Sequence, residues 1–79
     1  MNKNMRRYSL LLTKEIKGKY YKYIVATKKA ENLYNAIEHF NAIYGIKFDN
    51  QGYNITPRRT YRITNVVPDG YVPLPKLYL

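Results

Sequence analysis

The chain has 79 residues, no cysteine, and 14 Lys and Arg against 5 Asp and Glu, a formal net charge of +9. That length holds one domain, and the lack of cysteine excludes a disulfide scaffold and a thiolate metal site. A hydrophobic share of 46% is too high for a disordered chain. The longest aliphatic run, Leu10-Leu11-Leu12, is far too short to span a membrane. Arg6-Arg7 ahead of that run looks like a twin-arginine export signal, but the apolar stretch ends at Thr13-Lys14-Glu15 with no small-residue cleavage site. An intracellular setting is therefore expected: the cytoplasm, or a virion and its host cytoplasm, with no membrane association. Heavy use of Asn, Lys, Ile and Tyr fits an AT-rich coding source such as a phage or low-GC bacterium.

In chain order, residues 1–5 read as a flexible basic N-terminus, 6–67 as a single α+β domain and 68–79 as an extended apolar tail. Residues 6–16 alternate Tyr8, Leu10 and Leu12 against Arg7, Ser9, Leu11 and Thr13, a strand pattern. Lys17-Gly18-Lys19 is a short link, and residues 20–26 are rich in Tyr, Ile and Val, so the two runs predict a hairpin of open turn type. Thr27 is the expected N-cap of a helix over residues 28–44. Leu33, Ala36, Ile37, Phe40, Ile43 and Tyr44 recur at threes and fours on one face of it, and Gly45 is placed for a left-handed C-cap. Residues 46–48 form a short extended segment, Asp49-Asn50-Gln51-Gly52 a turn, and residues 53–56 a short edge strand ended by Pro57. Arg58-Arg59 is a basic loop, residues 60–67 alternate as a further strand, and Pro68-Asp69-Gly70 is a turn. Pro73 and Pro75 keep the tail extended. The order is β-β-α-(β)-β, an α+β two-layer sandwich in which an antiparallel sheet carries one amphipathic helix on one face and leaves the other bare.

The predicted helix balances Lys28 and Lys29 against Glu31 and Glu38, so the positive charge lies elsewhere. It gathers at Lys3, Arg6 and Arg7, at Lys14, Lys17, Lys19 and Lys22, and at Arg58, Arg59 and Arg62. A recognition helix in a major groove would itself be basic, so that mode is disfavoured. Cations interleaved with tyrosines on an open sheet instead suit a nucleic-acid platform, RNA or single strands preferentially, with rings stacking on bases and cations following phosphates. The candidate contact residues are Arg6, Arg7, Lys17, Lys19, Lys22, Arg58, Arg59 and Arg62, with Tyr21 and Tyr23 as stackers. The plainer reading is that the charge only keeps the chain soluble.

The alternative partner is an acidic protein surface. The chain would then be a phage- or assembly-type interaction module, a virion component or an inhibitor of a host protein, with homo- or hetero-oligomers formed through a sheet edge and the tail. Tyr71, Leu74, Leu77, Tyr78 and Leu79 would carry that docking, or fold back on their own domain. No enzymatic activity, cofactor or metal is expected. His39 is the lone histidine, no ligand spacing such as H-x-x-x-H occurs, and the four glycines make no phosphate cradle. A metal-free RNase would have to draw on Arg58, Arg59, Tyr61 and Arg62. The element order resembles that of a small archaeal and eukaryotic ribosomal domain, and equally that of small phage proteins. The Tyr-rich hairpin and the proline tail depart from the ribosomal pattern.

Overall fold

Eleven consecutive residue pairs zip the first two strands together, and the rest of the chain is arranged around that hairpin. A computed structural model describes residues 4–55 and 60–75. Strand β1 is Arg6–Ile16, β2 Lys19–Ala30, helix α1 Leu33–Tyr44, β3 Tyr61–Thr64 and β4 Val72–Pro73. They form a four-stranded sheet in the order β3-β1-β2-β4 with the helix against it, the expected α+β two-layer arrangement. One part of the expectation needs correcting. β1 pairs antiparallel with β2 and β3, but β4 runs parallel to β2, so the sheet is mixed. Among the described residues no helix is long and apolar enough to cross a membrane.

The hairpin turn consists of Lys17 and Gly18, both with positive φ (52° and 81°). Two left-handed residues are what a two-residue loop needs to match the right-handed twist of its strands, and glycine takes this conformation without strain. Between Leu10 and Leu11 the register shifts by one, because Leu10 faces Ala26 while Leu11 faces Ile24. Val25 is the extra residue of this bulge. Both Val25 and Ala26 consequently pack towards the helix, where strict alternation would send one of them away.

β2 also runs four residues past its expected end. Thr27 is not a helix cap; it lies opposite Ser9, with Lys28 opposite Tyr8 and Lys29 opposite Arg7. Thr27 satisfies only the local capping rule, whereas cross-strand pairing continues to Ala30 and overrides it. The helix begins where its apolar stripe begins, at Leu33. Asn32 caps it: Asn35 N–H donates to Asn32 Oδ1 at 2.9 Å. Replacing Asn32 by alanine should cost about 1 kcal/mol, read as a lower midpoint in thermal or urea unfolding. At the other end Gly45 adopts φ 69° as expected, and its N–H donates to the Asn41 carbonyl at 2.8 Å.

The core is Tyr8, Leu10, Ala30, Ala36, Phe40 and Ile63, with Leu33, Ile37, Ile46, Phe48 and Tyr61 packed around it. The last turn of the stripe, Ile43 and Tyr44, overhangs the sheet and is exposed. Residues 47–55 make a small hairpin beside β3. Asp49 accepts from the N–H groups of Gln51 (2.9 Å) and Tyr53 (3.0 Å), fixing its turn. The expected edge strand is reduced to isolated bridges, Phe48 with Asn54 and Tyr53 with Arg62. The buried Asn54 accepts from Tyr61 N–H through Oδ1 at 3.0 Å, tying this hairpin to the start of β3. β3 itself stops at Thr64, three residues short of its expected end, where Val66 N–H turns back to Thr64 Oγ1 at 3.2 Å.

β3 and β4 sit on opposite edges of the sheet, so residues 65–71 must cross it. The helix occupies one face. On the other, Ser9 (4% exposed) and Leu11 (1%) are buried although neither belongs to the helix-side core. Their burial corrects the expectation of a bare second face. The tail then pairs with its own domain: Leu74 N–H donates to the Ile24 carbonyl at 2.9 Å. Tyr71, Val72 and Leu74 thus lie along β2, while Leu77, Tyr78 and Leu79 fall outside the described residues.

Candidate nucleic-acid interface

β3 reaches only Ser9–Leu12 of β1, so the hairpin beyond them projects as a two-stranded arm. Its eleven pairs span about 37 Å at the usual rise per residue, and they set the long axis of a molecule measuring 50 × 23 × 21 Å. From Arg6 to Ala30 the hairpin carries eight cations against Glu15 alone, +7 of the chain's +9. Lys28 and Lys29 belong to this set, because β2 continues through them. The helix Leu33–Tyr44 is left with Glu38 as its single formal charge, slightly negative rather than neutral. The positive field therefore lies on the strands and not on the helix.

Arg6, Arg7, Lys17, Lys19, Lys22, Lys28 and Lys29 are all exposed. The register sorts the strand cations evenly. Arg7, Lys22 and Lys29 fall with Ser9 and Leu11 on the face away from the helix, as does Arg62 on β3. Arg6, Lys14, Lys19 and Lys28 fall with Tyr8 and Leu10 on the helix side. The positive field thus belongs to the hairpin as a body and not to one face of the sheet. Arg62 is half-buried, with its guanidinium 5.2 Å from the Tyr53 ring centre, and the Lys22 ammonium lies 5.7 Å from that of Tyr71. Such cation–π contacts hold the charges in place while leaving them positive. Arg58 and Arg59 lie outside the described residues.

The tyrosines divide sharply. Tyr8 is core, and Tyr23, opposite Leu12, is only 9% exposed. Tyr23 therefore cannot serve as a stacker as it stands, because its ring is used in packing. Tyr21 is accessible at 39%, and its neighbour Tyr20 more so at 67%. Adjacent in sequence, the two rings point to opposite faces of the arm, Tyr21 across from Lys14 and Tyr20 across from Glu15. Between the arm and β3 an open groove of about 720 Å³ is lined by Leu12, Thr13, Lys14, Glu15, Tyr20, Thr60 and Tyr61. His39 is not among the residues lining it; it lies on the helix, half-buried and edge-on to Phe40 at 5.2 Å.

Sequence reasoning missed Lys28, Lys29 and Tyr20 as members of the site. The signal for the lysines was available: the apolar stripe does not start before Leu33, and Asn32 is as good a cap as Thr27. No family model matches this chain, no curated protein matches it in sequence, and no solved structure matches it.

Proposed function

We propose that the protein is a small non-enzymatic module that binds nucleic acid through its β1–β2 hairpin. The observation that carries this reading is the concentration of +7 on the β1–β2 hairpin, beside a helix that bears only Glu38. Phosphate backbones are the polyanions that such an arm meets with the greatest gain, since each neutralised phosphate releases condensed counterions. Tyr20 and Tyr21 add exposed rings with polar tips beside the tip lysines.

The test is fluorescence anisotropy with labelled nucleic acid across a salt series. The logarithm of the affinity should fall linearly with log salt, by about 0.7–0.9 per phosphate neutralised. Removing Lys19 and Lys22 together should flatten the slope by about 1.5 and weaken binding roughly tenfold or more at moderate salt. An affinity indifferent to salt, or no binding to nucleic acid at low ionic strength, overturns the proposal. Salt-resistant capture of an acidic protein instead would assign the arm to protein recognition.

A further inference from the structure

Within the hairpin the cations fall into two groups of four with no charge between them. Arg6, Arg7, Lys28 and Lys29 stand at its base, and Lys14, Lys17, Lys19 and Lys22 at its tip. The intervening residues, 8–13 and 23–27, are all uncharged. Arg7 to Lys14 and Lys29 to Lys22 are each seven residues apart along their strands, which is about 24 Å of extended chain. At the base Arg7 lies directly opposite Lys29. Like charges facing each other across a strand pair cost stability, a cost that an overlying polyanion removes.

We infer that the ligand is a duplex held at both ends of the hairpin at once, and that about seven or eight base pairs is the shortest length filling both points. The inference rests on the reading of the hairpin as a nucleic-acid site. Base pairs rise about 3.4 Å each, so seven of them cover the gap between the groups. A duplex is stiff over about 50 nm and bridges the uncharged middle without support. A single strand would have to be ordered across that middle, where the hairpin offers its phosphates no cation and Arg62 of β3, beside Leu11, is half-buried over the Tyr53 ring. The hairpin also lacks a stacking platform for separated bases: Tyr8 and Tyr23 are buried, and Tyr20 and Tyr21 point to opposite faces at one end. Two linked contacts then act as one bivalent site, the second made at high effective concentration.

The experiment measures affinity for stem-loop DNAs whose stems run from about four to sixteen base pairs, beside single strands of matching lengths, at low salt. Affinity should rise at least about tenfold between stems of roughly four and eight base pairs, then grow only in proportion to the added positions. The base variant Arg7→Ala/Lys29→Ala and the tip variant Lys22→Ala, all on the face away from the helix, should each reduce long-stem binding to the level of the shortest stem. Circular dichroism checks that both remain folded. Affinity that is already maximal at the shortest stem, loss confined to one of the two variants, or tighter binding of single strands overturns the two-point duplex site while leaving nucleic-acid binding standing. Failure to bind any of these DNAs removes both.

Discussion

Replacing Phe40 with alanine should leave the chain largely unfolded at room temperature. Phe40 is fully buried at the centre of the only core cluster among the described residues, against Leu10 and Ile63 of the sheet and Ala36 one turn away. Its ring also meets those of His39 at 5.2 Å and Tyr44 at 6.3 Å. Truncating a buried phenylalanine costs about 3–5 kcal/mol, because the transfer energy of the ring is lost and a cavity remains. A domain of this size holds roughly 3–5 kcal/mol in total, so the change consumes most or all of it. Loss of the cooperative urea transition, followed by tyrosine fluorescence, is the expected readout. Phe40→Leu keeps most of the volume and should retain a transition at a lower midpoint. An alanine variant as stable as the parent would show that the helix does not anchor the sheet.

The second large effect concerns Gly52. Its φ is 91°, and a Cβ built there would lie 2.6 Å from the Ile63 carbonyl oxygen. The contact cannot be relieved by a side chain, because the obstacle is backbone. Nor can β3 retreat, since Ile63 N–H donates to the Gly52 carbonyl at 2.7 Å and this bond joins the small hairpin to the sheet. Gly52→Ala should therefore cost about 2–4 kcal/mol, the sum of left-handed strain and a broken edge. Gly45→Ala is the matched control. Its φ is also positive, at 69°, but nothing lies within 4 Å of the added carbon, so only about 1 kcal/mol of conformational strain is expected. Equal losses in urea unfolding would mean that the close approach of Gly52 to β3 is not maintained in solution.

The elements that were legible in the sequence are those set by local periodicity. The Leu33-to-Phe40 stripe, the Gly45 cap and the hairpin around Lys17-Gly18 all follow from spacing and from residues that tolerate particular backbone angles. The misplaced features depend on distant partners. Thr27 has the chemistry of a cap, and only the pairing of Ser9, Tyr8 and Arg7 with residues 27–29 keeps it in a strand. Two residues of tail, one of them proline, give no periodic signal of a parallel strand; β4 exists because the edge of β2 is there to receive it. The candidate site is visible in the sequence as clusters of charge, but not as a two-ended hairpin, because local pattern places Lys28 and Lys29 in the helix. Tyr23 shows the same limit. Its type suits a stacking surface, and its packing against β1 is decided by a register that no single segment encodes.

The bulge at Val25 bears on how this chain tolerates changes in length. Losing a residue of β2 away from the Val25–Ala26 bulge forces the pairing between that point and the bulge to slip by one place and turns those side chains inside out. Losing Val25 brings Ala26 next to Ile24, and both partners on β1, Leu10 and Leu11, are already consecutive. An in-frame codon deletion at the bulge straightens the strand without re-phasing it, so the hairpin has one internal site where a shorter descendant could keep the rest of its pairing.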